Sequence, residues 1–188
     1  MKQISLLLGS FSLVFILLSC NSKNPLGKKV KEPFSGSKYE STARYFRAVG
    51  KGDSQDENIA KNKADLEAKK ELAQQVTTNI KVVTDQYLHD NSTANGSEIN
   101  DKFQSLIREV TNTTIADLRK IGEEKYLNDE NKYTVFIAYE IHKKDMFRFM
   151  KKQAKLDAKI TELQRKAIDD ILDQEIKKAE EAEAQGKD

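Results

Sequence analysis

The segment Tyr133–His142 alternates without a break, with Tyr133, Val135, Ile137, Tyr139 and Ile141 on one side and Thr134, Phe136, Ala138, Glu140 and His142 on the other. A period of two predicts a strand with one strongly apolar face. Such a face has to be covered by a second layer, so every other element is read against this one. Upstream, residues 113–127 read as a strand interrupted at Gly122, and the polar run Asn128, Asp129, Glu130, Asn131 reads as the turn of a hairpin. Residues 43–50, with Tyr45, Phe46, Ala48 and Val49, predict a further short strand closing on a turn at Gly50, Lys51 and Gly52.

Between these strands lie helix signals. Ser54 precedes Glu57 at capping-box spacing, and Ala60, Ala64, Ala68, Leu72 and Val76 form one stripe, which predicts a helix over 55–76 whose small side chains approach a sheet closely. Thr77, Thr78, Ile80, Val82, Val83 and Thr84 are β-branched and predict a strand over 78–87. After a polar loop at 91–96, Ile99, Phe103, Leu106, Ile107 and Val110 recur at helical spacing, with Ser97 as the expected cap. The expected fold is α+β, in the order β-α-β-α-β-β-α. Its mainly antiparallel sheet carries helices on one face, and a long C-terminal helix follows.

Beyond Lys143 the chain reads as one helical stretch. Leu156, Ile160, Leu163 and Ala167 are spaced by four, three and four, as in a short coiled-coil seam. Charge is segregated here: residues 143–166 hold nine basic and three acidic side chains, and residues 169–188 hold three basic and eight acidic. An antiparallel pairing of two copies would set each basic half against an acidic half, so Leu156, Ile160, Leu163 and Ala167 are the expected self-association residues. The alternative is a single helix packed on its own domain as far as about Ile176 and frayed thereafter.

At the other end, 11 of the 15 residues in 4–18 are apolar, and none is charged. At about 1.5 Å per residue this run reaches about 22 Å, short of a bilayer's hydrocarbon layer of about 30 Å, so a signal-peptide core is expected rather than a permanent span. Leu17, Leu18 and Ser19 lead into Cys20, the only cysteine, in a pattern that resembles a bacterial lipobox. Cys20 is therefore the expected lipidation site, its sulfur carrying a diacylglycerol with acyl chains such as palmitate. The expected organisation is a signal peptide at 1–19, a lipidated cysteine and flexible tether at 20–38, a domain at 39–150 and a charged helical tail at 151–188. Asn21 stands where an aspartate retains some lipoproteins at the inner membrane, so the outer membrane is expected, with the domain facing the periplasm and surface exposure as the alternative.

Charge and composition exclude other classes. With 32 Lys plus Arg against 30 Asp plus Glu, there is no cationic surplus to attract nucleic acid. His89 and His142 stand far apart, and neither lies at metal-ligand spacing with another donor, so no metal and no cofactor are expected. Adjacent acids such as Glu123 with Glu124 or Asp169 with Asp170 diverge on any regular element, and no phosphate-binding glycine loop is present, so no catalytic residue is assigned.

Tyr45, Phe46, Arg47, Ala48, Val49, Gly50, Lys51 and Gly52, followed by spaced alanines into Leu72 and Ala73 and the later Tyr133, Thr134, Val135, Phe136 and Ile137, resemble the twenty-kilodalton outer-membrane lipoprotein (Lpp-twenty) family over residues 43–142. The resemblance implies an outer-membrane-anchored α+β domain without enzymatic activity, some members packing into rings in envelope structures. The expected function is a noncatalytic, membrane-tethered interaction or assembly module that contacts envelope proteins or itself. The alternative is a lipoprotein that binds a small molecule, glycan or peptidoglycan fragment in a pocket lined by Tyr133 and Tyr139.

Overall fold

A computed structural model describes residues 27, 30–91, 96–114 and 118–186. The signal-like run and Cys20 lie outside the described residues. The elements are β1 (Tyr45–Ser54), α1 (Glu57–Asn91), α2 (Gly96–Thr114), β2 (Arg119–Leu127), β3 (Tyr133–His142), α3 (Lys143–Leu156) and α4 (Glu162–Ala184). The three strands form one antiparallel sheet in the order β1-β3-β2, and the helices cover one face of it. The fold is α+β as expected, but the element order is β-α-α-β-β-α-α.

The difference lies in α1, which is 35 residues long and absorbs the strand expected over 78–87. Val76, Ile80, Val83 and Thr84 are buried at helical spacing, in one core with Phe103, Leu106, Ile107 and Val110 of α2. Thr77 and Thr84 donate their hydroxyls to the carbonyls of Ala73 and Ile80 one turn back. The helical disfavour of β-branched residues is a few tenths of a kcal/mol each, and packing against α2 outweighs it.

The expected turn at Gly50 to Gly52 is also corrected: both glycines lie inside β1, facing Ala60, Ala64 and Ala68 of α1. The backbones touch there, which is the close approach that the alanine stripe predicts. Asp56, not Ser54, caps α1, its carboxylate accepting from the Ile59 amide. The five apolar residues expected on α2 are all buried. That helix already starts at Gly96, ahead of Ser97, and its last turn takes in Thr113 and Thr114, so the expected strand begins only at Arg119. The β2–β3 hairpin forms with its turn at 128–131, where Asn128 accepts the amides of Glu130 and Lys132.

On the sheet's other face, Arg47, Glu140 and Arg119 stand side by side in register across the three strands. The segment from Glu32 packs here too, with the Phe34 ring over Gly122 and against Tyr39. The compact unit therefore begins at Glu32, within the stretch expected to be tether.

The C-terminal region is not a separate tail. The single helix expected beyond Lys143 is two, broken at 157–161, and the expected boundary at 150/151 falls inside α3. Thr161 and Gln164 form a full capping box that starts α4, and α4 folds back along α3. Ile168, Ile171 and Leu172 are buried in the common core.

Candidate interaction surface

The α3–α4 hairpin carries the segregated charge. Lys144 pairs with Glu183, Arg148 with Glu180 at 2.7 Å, and Lys151 with Asp173 at 2.6 Å. The basic stretch thus meets the acidic one within one chain, an intramolecular form of the pairing expected between copies. At the hairpin root, Nδ1 of His142 lies 2.6 Å from Asp145 and Nε2 lies 2.7 Å from Glu183. The Lys144 hydrogen bond, opposed by burial and aided by His142, holds the Glu183 carboxyl below its ordinary range. Burial pushes the Lys143 amine down, with its Nζ 4.4 Å from the centre of the Phe46 ring.

The four residues of the expected seam separate. Ile160 and Ala167 point into the core, at 4% and 6% exposure, whereas Leu156 and Leu163 are 68% and 55% exposed. The turn between the helices interrupts their spacing, so they form no continuous stripe. Leu156 and Leu163 flank the hairpin tip. Arg165 fixes that tip by donating to the carbonyls of Ala154 and Ile160, and the Asp157 carboxylate accepts the Lys159 amide.

Other candidates are built into the fold. Tyr133 and Tyr139 lie under α1, packed against Ala60, Ala64, Val135 and Ile137, not around an open pocket. The Tyr139 hydroxyl donates to Asp65 at 2.6 Å. Burial and that bond push its pKa up to about 12. Burial pushes the Asp65 carboxyl up as well, yet hydrogen bonds from Lys69 and Tyr139 outweigh it and hold this carboxyl low. Glu123 pairs with Lys120 and Lys61, and Asp170 accepts from Tyr87. His89 is exposed beside Asp90. The role of His142 in joining β3, α3 and α4 had no signal in the sequence, because Glu183 lies forty-one residues away. The Thr161-x-x-Gln164 spacing that ends the supposed single helix was visible.

A groove of about 180 Å³ between α1 and α4 is lined by Val83, Gln86, Tyr87, Asp90, Asn91, Gln174 and Lys178. It is smaller and more polar than the usual small-molecule site of about 300–1,000 Å³. Among the described residues no group of three His, Cys, Asp or Glu is placed to hold a metal ion, and no helix is long and apolar enough to cross a membrane. In comparisons with known proteins, no family model, curated protein or solved structure matches the chain.

Proposed function

We propose that this chain is a noncatalytic lipoprotein of the bacterial outer membrane, attached through a lipid on Cys20 and acting as a tethered interaction or assembly module of the envelope. The observation that carries the reading is the apolar run at 4–18 ending in Leu17, Leu18, Ser19 and the chain's only cysteine. The domain supports it by what its polar groups do. His142, Glu183, Tyr139, Asp65 and Glu123 are each engaged with partners that hold elements together, which is the work of a scaffold. Among the residues that carry the resemblance to the Lpp-twenty family, Phe46, Ala48, Gly50, Gly52, Ala60 and Ala64 are packing residues. They support a shared kind of domain and bring no reactive group with them.

Tethering makes weak contacts sufficient, because attachment to one surface raises the local concentration of every partner on it. Eleven residues, 21–31, span at most about 40 Å at about 3.5 Å each, which bounds how far Glu32 can stand from an anchored Cys20. The test is crosslinking in intact cells with mass-spectrometric identification, comparing the wild type with Cys20→Ala. Crosslinks to itself or to envelope proteins that disappear in the variant are expected. A membrane-bound wild type that yields none overturns the assembly role and favours ligand capture.

A further inference from the structure

Along the hairpin the basic side chains of α3 are neutralised by α4 only as far as Lys151. Beyond it Lys152, Lys155, Lys159 and Lys166 are exposed, and none of their side-chain amines makes an ion pair or hydrogen bond among the described residues. The same tip carries Leu156 and Leu163 in the open, on a turn held rigid by the capping box and the two Arg165 hydrogen bonds. Nothing in the domain's own packing calls for two exposed leucines among four unpaired lysines.

We propose that the α3–α4 tip is a membrane-contact site that seats Leu156 and Leu163 at the boundary between headgroups and acyl chains, while Lys152, Lys155, Lys159 and Lys166 meet anionic headgroups. Charge complementarity selects this occupant. Lysine is depleted where proteins bind one another, whereas its long apolar stem and charged end suit the headgroup layer. The lipid anchor proposed at Cys20, on which this inference rests, keeps the tip within reach of a bilayer. The contact would fix which face of the domain meets the bilayer.

The test uses the full lipidated chain with Leu163→Cys carrying an environment-sensitive dye, the Cys20 sulfur being blocked by its lipid. It is placed on vesicles of phosphatidylcholine alone or mixed with phosphatidylglycerol in equal parts. A blue shift and protection from an aqueous quencher are expected on the mixed vesicles only. Each Lys→Gln change at the four positions should lower the seated-to-free ratio about fivefold, with the thermal melt unchanged. A chain that floats with both vesicles while its dye reads as in buffer overturns the tip contact and leaves the anchor standing. A chain that floats with neither and shows no shift removes both. An equal shift on both vesicles overturns the role of the lysines, and a shift produced by envelope proteins without lipid replaces the bilayer with a protein partner.

Discussion

Gly50 in β1 lies so close to α1 that a Cβ there would sit 2.0 Å from the carbonyl oxygen of Ala64. The obstructing atom is backbone, which has no rotamer to give, and Gly52 stands in the same relation to the carbonyl of Ala60 at 2.1 Å. Gly50→Ala is expected to cost about 3 kcal/mol or more, at the upper end of overpacking effects. At Gly96 a Cβ would meet only Leu88 side-chain atoms, at ordinary contact distances of 3.7 Å and beyond. Gly96→Ala should therefore leave the urea midpoint unchanged or raise it, and the two midpoints measured side by side check the contrast.

The C-terminal helix belongs to the core. Leu172 is fully buried, and its replacement by Ala should cost about 2–5 kcal/mol. Leu163→Ala, at the exposed tip, should stay within about 0.5 kcal/mol. Denaturation of the two variants measures this; equal effects would mean that α4 is not docked.

Glu140, with 6% of its side chain exposed, accepts from Arg47 at 3.0 Å and forms an ion pair with Arg119 at 3.2 Å. Arg47 is nearly as buried, while 76% of the Arg119 side chain is exposed. Glu140→Gln leaves Arg47 without its counter-charge and should cost about 3–5 kcal/mol. Arg119→Ala removes only a solvent-screened contact and should cost at most about 1 kcal/mol. Thermal unfolding separates the two.

Two titrations follow from the hydrogen bonds. Tyr139, pushed from 10.0 to about 12, keeps its proton in the fold above the pH at which the unfolded chain loses it. Its contribution to stability is present below pH 10.0 and is lost as the pH rises toward about 12. Tyr87 and Tyr126 are also held above the ordinary tyrosine value, so ultraviolet titration should show several late ionisations, of which Tyr139→Phe removes the component at about 12.

Glu183 has the opposite sign. Its folded pKa lies below 4.5, so its contribution is present above 4.5 and disappears as the pH falls through the lowered value. Amide exchange at residues 179–184, corrected for intrinsic rates, should speed up in that range before the rest of α4 loosens.

The sequence makes an element legible where its apolar positions keep one period, even in β3, where Phe136, Ala138 and Glu140 of the second face are buried as well. Tyr133–His142 and the Ile99 to Val110 stripe are visible because their apolar positions follow a single period. Residues 77–84 mislead because β-branching is a local preference, whereas the partner that decides for helix, α2, lies elsewhere in the chain. Gly50 and Gly52 resemble a turn for the same kind of reason: a residue chosen for contact with a distant helix has the composition of a loop. The charge segregation after Lys143 predicts a pairing between copies, whereas the charges pair between α3 and α4 of one chain. Only the break at 157–161, signalled by Thr161 and Gln164, shows that the partner is the same chain.

The lipid on Cys20 is read most directly from the intact mass of the protein extracted from bacterial membranes. A chain that begins at Cys20 and carries a thioether-linked diacylglycerol is expected, and Cys20→Ala should lack that added mass. A membrane-extracted chain that retains residues 1–19, or one with a free Cys20 thiol, would contradict this expectation.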